Sequence, residues 1–158
     1  YILFRQKTID RLKGIDKKDL EATIHNIIVP QRTVLRDGDF SQDVYKNNSW
    51  ILDDKFMTYT TVLSEMEMTD LIKELTKDEN VERNDDRPDI AVIFSNDPST
   101  SEKFDVVIIE LKRKGLKSED NIRVEAQLEK RARDLFAIYA NKIQSLWLYG
   151  IVYPYFQR

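Results

Sequence analysis

The run at residues 104–111, Phe-Asp-Val-Val-Ile-Ile-Glu-Leu, constrains this chain more than any other segment. Read as a strand, it sends alternate side chains to opposite faces, with Val106 and Ile108 on one side and Val107 and Ile109 on the other. Both sides are apolar, so the strand has to lie inside a sheet with helices over both faces. A second β-branched and aromatic run occupies 90–94, and the Ser, Asn, Asp, Pro and Thr residues at 95–101 have turn chemistry. The two runs predict a hairpin at the centre of an α/β fold.

Helical spacing of Leu20, Ile24, Ile27 and Ile28 predicts a helix over 17–29, with Asp16 as N-cap and Pro30 as its end. Residues 2–12 read either as another short helix or as an extension from an upstream region. The polar stretch 33–48, with Asp37-Gly38-Asp39, predicts a loop. Trp50-Ile51-Leu52 reads as a short strand, followed by a helix that Asp53 or Asp54 caps and on which Phe56, Tyr59, Thr60 and Leu63 share a face. A further helical segment follows over 69–76, then a polar connection over 77–87. A long helix is predicted over 121–142, with Leu128, Ala132, Leu135, Phe136, Tyr139 and Ile143 along one stripe, and a last strand over 147–153, stopped by Pro154. The fold expected is therefore α/β, a central mixed β-sheet flanked by helices. It forms one domain over 17–158, and residues 1–16 form an N-terminal extension or linker. The start at Tyr1 rather than Met leads us to expect an upstream region.

At 158 residues the chain is long enough to bury a continuous core. Its net charge of -3 supplies no global attraction for nucleic acid, so any such contact needs a local basic patch. Cysteine is absent and His25 is the single histidine, which excludes disulfides and a Cys/His zinc cage and leaves carboxylates to hold a hard ion. No apolar run approaches the roughly 20 residues that span a bilayer, and the start does not resemble a signal peptide. The expected location is cytoplasmic, with no membrane contact.

If the hairpin is symmetric about Ser99 and Thr100, paired residue numbers sum to 199, so Phe94 faces Asp105 and Asp89 faces Glu110. Directly opposed residues point to the same face with Cβ atoms about 4.5–5.5 Å apart. Glu110 and Lys112 share that face, while Leu111 turns to the other. Two adjacent carboxylates repel, and a hard divalent ion removes that penalty; Mg2+ fits best, with Mn2+ as a substitute. Such an ion stabilises charge on a phosphoryl oxygen and acidifies a bound water, which Lys112 can orient. Taken singly, Asp89 after Pro88 reads as a turn residue, and Glu110 with Lys112 as an ion-pair set at a strand end. Their convergence on one face is what turns them into a candidate site.

Pro88-Asp89, a hairpin, then Glu110-Leu111-Lys112 resembles the PD-(D/E)XK pattern of the restriction-endonuclease-like nucleases, over about residues 17–153. The resemblance implies an αβββαβ core, a metal held by Asp89, Glu110 and the carbonyl of Leu111, and a catalytic role for Lys112. It also implies an acid on the first helix, for which Glu21 is the candidate, with Asp19 and Asp53 as alternatives. Many members carry a glutamine early in the next helix with an aromatic residue four positions later. Here Gln127 is followed by Arg131, which departs from that pattern. More loosely, the segment around Glu21, His25 and Pro30 and the Trp50–Asp53 stretch resemble nuclease regions that follow ATPase modules in bacterial phage-defence proteins. That implies an upstream ATPase or sensor domain as partner, a role in antiviral defence and room for an oligomer.

Between 112 and 133 eight basic side chains stand against four acidic ones, a local +4 beside the proposed site. Arg113, Lys114, Lys117, Arg123, Lys130 and Arg131 are the candidates for holding the phosphates of DNA. The alternative for that run is a solvated helix face. His25, four residues after Glu21, reads equally as its surface partner or as a packed histidine. The reading as a whole is a Mg2+-dependent nuclease acting on DNA. The alternative is a noncatalytic nucleic-acid-binding or assembly module that keeps the nuclease fold.

Overall fold

The computed structural model describes residues 2–16, 21–37, 45–95, 102–113 and 118–153. In chain order these form α1 (Ile2–Lys13), α2 (Glu21–Ile28), β1 (Val34–Arg36), β2 (Tyr59–Ser64), α3 (Met68–Thr76), β3 (Ile90–Phe94), β4 (Phe104–Arg113), α4 (Ser118–Tyr139) and β5 (Ile143–Tyr153). The strands lie side by side in chain order in one sheet. Neighbours are antiparallel from β1 to β4, while β4 and β5 are parallel and joined by the α4 crossover. The expected α/β class and mixed sheet are therefore what the chain adopts.

The central hairpin has the expected register, with Ile90 opposite Ile109 and Phe94 opposite Asp105. The alternation in β4 also holds. Val106 and Ile108 join Ala91, Ile93 and the buried faces of α3 and α4, while Val107, Ile109 and Leu111 join Val92, Phe56 and the α2 residues Ile24 and Ile28. Two apolar layers thus sandwich the sheet, and β3 and β4 are buried on both faces because their sequences are apolar on both.

Several local readings need correction. Trp50-Ile51-Leu52 is no strand; Ser49–Ile51 is a 3-10 turn, held by buried Asn47 and Asn48, whose side chains bond Phe56 O, Ile27 O and Trp50 Nε1. Asp53 does cap, accepting from Lys55 N at 3.0 Å, but it caps a second 3-10 turn at Asp54–Met57. The helix expected next is the strand β2, whose Thr60-Thr61-Val62 run suits a pleated surface and pairs with both β1 and β3. The 33–48 segment contains β1, and the last strand begins at Ile143 rather than 147. On α4 the buried stripe is Val124, Leu128, Arg131 and Leu135, whereas Phe136 is exposed. The expected turn at 96–101, the start of the first helix at 17–20 and Pro154 lie outside the described residues.

Gly150 sets how closely α4 approaches the sheet. It lies on β5 beside Glu110, and a Cβ there would sit 2.7 Å from Val124 Cγ1. Val124 fills the space that any other residue at 150 would need.

Candidate active site

Asp89 ends a polar strap, residues 84–89, that is tied down on both sides. At the N-terminus of α3, Met68 N donates to Asp86 O at 2.7 Å and Thr69 Oγ1 to Asn84 O at 3.0 Å. From α4, Lys130 Nζ bonds the Asp86 carboxylate and Arg131 Nη2 donates to Arg87 O at 2.8 Å. The Asp89 carbonyl then accepts from Glu65 N at 2.9 Å and faces His25 Nε2 at 3.0 Å. His25 Nδ1 faces Val29 O, also at 3.0 Å. Carbonyl oxygens only accept, so either tautomer ties α2 to one of these carbonyls and the doubly protonated ring ties it to both.

Each carboxylate meets backbone from the opposite arm of the hairpin. Leu111 N donates to Asp89 Oδ2 at 2.6 Å, and the Asp89 backbone hydrogen-bonds the Glu110 carboxylate. That Asp89 and Glu110 face each other is what the hairpin register predicts one step beyond Ile90 and Ile109. Glu110 is buried, and burial first and the Asp89 charge second push its carboxyl up to about 8, against the pull of Arg131 and Lys112. Burial likewise raises the Asp89 carboxyl, opposed by Leu111 N–H and by the charges of His25, Arg131 and Lys112. Lys112 is near enough to act on both acids, yet it forms no direct ion pair among the described residues. Beside Asp89 opens a cleft of about 480 Å³ lined by Arg32, Glu65, Met66, Arg87, Pro88 and Asp89.

The structure therefore brings together Asp89, Glu110 and Lys112, as the hairpin arithmetic predicts. The Leu111 side chain is in the core, and its N–H is the group seen at the site. Glu21 opens α2 one turn before His25, and among the described residues no three acidic or histidine side chains gather closely enough to hold a metal. Gln127 is exposed and makes no hydrogen bond among the described residues. Of the basic patch, Arg123 is exposed and Lys130 is spent on Asp86, while Lys114, Lys117 and the Arg113 side chain lie outside the described residues.

Arg131 is a correction. Its side chain is 8% exposed and sits against Glu110, Nη1 to Oε1 2.5 Å, so it faces inward and is not a surface phosphate contact. The spacing of Val124, Leu128 and Leu135 carries that signal, since position 131 falls in the same stripe. His25, Arg32 and Arg87 were also not read as parts of the site. For Arg87 the signal is its place next to Pro88-Asp89.

Two observations bear on whether a divalent ion fits. Glu110 Oε1 is buried and has no aligned hydrogen-bond donor, and the all-oxygen donor set suits a hard cation. Two protein carboxylates also match the habit of Mg2+, which keeps several waters and takes few protein ligands. The donor chemistry of the two carboxylates thus suits such an ion, while Arg131 stands against Glu110 Oε1 and no third acid or histidine joins the pair among the described residues. Comparison with protein-family models, curated proteins and solved structures finds no match to this chain. Among the described residues, no helix is long and apolar enough to cross a membrane.

Proposed function

We propose that this domain is a divalent-metal-dependent phosphodiesterase acting on nucleic acid, most simply a DNA nuclease. The observation that carries the reading is the pair of carboxylates, Asp89 and Glu110, side by side just before β3 and near the end of β4, with the Leu111 N–H on Asp89 Oδ2 and Lys112 beside them. The element order α2, β2, β3, β4, α4, β5, with α3 inserted and β1 at the edge, supports the αβββαβ arrangement that the PD-(D/E)XK resemblance implies.

Asp89 and Glu110 would hold Mg2+ or Mn2+. When bound, that ion supplies Lewis acidity toward a phosphoryl oxygen and a more acidic water. Lys112, as a cation without a partner among the described residues, orients the attacking water or neutralises the phosphate. Arg32 and Arg87 stand at the rim of the cleft beside Asp89, but each is paired with an acid of its own, Glu65 at 3.7 Å and Glu67 at 2.8 Å, so a phosphate there would have to compete for them. An upstream ATPase or sensor module and a role in phage defence belong to the same proposal and rest on the sequence resemblance alone.

The test is cleavage of linear and supercoiled DNA in Mg2+ or Mn2+. The unaltered chain is expected to cleave and Lys112→Ala to lose that activity while keeping its unfolding midpoint. Cleavage retained by Lys112→Ala would remove Lys112 from the mechanism. A second reading is favoured by Arg131, whose guanidinium already sits against Glu110 where an ion would bind: a noncatalytic module that keeps the fold and binds nucleic acid. It predicts binding unaffected by chelator and by Asp89→Asn.

A further inference from the structure

Arg131 occupies a position that an aliphatic side chain would fill, in the stripe of Val124, Leu128 and Leu135 on α4. Its guanidinium instead lies against Glu110, with side-chain exposures of 8% and 5%. An arginine paired with a carboxylate frequently makes two parallel N–H to O bonds. This one does not. Nη2 is spent on Arg87 O, while Nη1, Nε and Glu110 Oε1 have no aligned hydrogen-bond partner despite the 2.5 Å approach. The contact is Coulombic and geometrically unfinished, and its donors and acceptor have bonding capacity left over.

The charges explain why a cation belongs there. Once both are ionised, Asp89 and Glu110 put two negative charges at one place away from water, and Arg131 supplies one positive charge against them. A divalent ion on the same two carboxylates would neutralise both and turn Arg131 into a like charge at close range, where low dielectric makes repulsion strong.

We infer that Arg131 is the resident counter-ion of the Asp89–Glu110 pair, which a divalent cation displaces from Glu110 when it binds. The inference rests on the metal-dependent reading above. It makes Arg131 an exchangeable charge, held in reserve by Arg87 O, instead of a fixed structural strut. A strut would hold the carboxylates in place for the metal, and its loss would weaken binding; a counter-ion competes with the metal, and loss of its charge strengthens binding.

The test is titration calorimetry with Mn2+ on the unaltered chain, Arg131→Gln, Arg131→Lys and Asp89→Asn. Arg131→Gln, which removes the competing charge, is expected to bind Mn2+ about tenfold more tightly or better. Arg131→Lys, which keeps the charge, is expected to stay within about threefold of the unaltered chain. Asp89→Asn is expected to abolish binding, which places the ion. Unchanged or weaker binding in Arg131→Gln overturns the exchange while leaving the metal site standing. No binding by any of the proteins overturns the metal-dependent reading and the exchange with it. Should Arg131→Gln fail to fold, the side-chain Nε–H signal of Arg131 in the unaltered protein decides. Addition of Mg2+ is expected to shift it and speed its exchange with water, and an unmoved signal in the presence of bound Mg2+ overturns the exchange.

Discussion

Replacing Glu110 by glutamine should flatten the dependence of stability on pH across the neutral range. Burial and the neighbouring Asp89 raise the Glu110 carboxyl from 4.5 to about 8. The unfolded chain releases this proton near the lower value, whereas the folded chain keeps it to the upper one. Between the two, the folded state binds more protons, so stability falls as pH rises. The contribution is fully present below about pH 4.5 and is gone once pH has risen through 8. At about 1.4 kcal/mol per unit, a displacement from 4.5 to about 8 amounts to roughly 5 kcal/mol over the whole window. Between pH 5.5 and 7.5 this one group should therefore remove about 2–3 kcal/mol. Asp89 is raised in the same direction and adds to the slope with the same sign.

The assay is urea unfolding followed by the fluorescence of Trp50 and Trp147, in chelator, at several pH values from 5.5 to 7.5. Glutamine keeps the size of the side chain and does not titrate. Every group other than the site's own acids titrates alike in both proteins, so the difference between the two slopes belongs chiefly to Glu110. The absolute level is not the readout, because Glu110→Gln also changes the contact with the buried Arg131 and shifts the whole curve. Parallel curves for the two proteins would refute the claim that the folded chain holds this carboxyl above its ordinary range.

Two further outcomes follow from the packing around the site. Gly150→Ala is expected to cost about 1–3 kcal/mol by thermal or urea unfolding, because its Cβ meets Val124 Cγ1, and Val124→Ala in the same chain should recover part of that loss. His25→Leu leaves two carbonyls, Asp89 O and Val29 O, without a ring donor; a loss of about 1–3 kcal/mol and weaker Mn2+ binding are expected, and unchanged metal affinity would detach His25 from the placement of Asp89.

The parts of the fold legible in the sequence are those fixed by local pattern. The hairpin register followed from two apolar runs with turn chemistry at their midpoint, and the alternation in β4 named the two core layers residue by residue. β2 was misread because Phe56, Tyr59, Thr60 and Leu63 happen to recur at helical spacing, while its true partners, β1 and β3, are remote in sequence. β1 covers too few residues to show a period. The site was legible to the extent that it depends on the hairpin, hence Asp89, Glu110 and Lys112. It was illegible where it depends on how a helix is rotated over the sheet. A shift of one position in the α4 stripe is the difference between Arg131 on the surface and Arg131 against Glu110.

The arrangement is also costlier than a purely structural role requires, and that cost is an argument about function. Asparagine at 89 would accept the Leu111 N–H as the aspartate does, without adding a second negative charge beside Glu110. A buried ion pair such as Glu110 with Arg131 can often be replaced by well-packed apolar side chains at no loss of stability, and the Val124, Leu128 and Leu135 stripe offers the surroundings for one. Instead the chain keeps two acids and an arginine away from water and spends His25, Glu65 and the 84–89 strap on fixing where they stand. Departures from local economy that are this well supported are what a site built to receive a charged ligand requires. On the proposed reading, Lys112, alone among the site's charged groups in having no hydrogen bond or ion pair among the described residues, is the one left to meet a substrate.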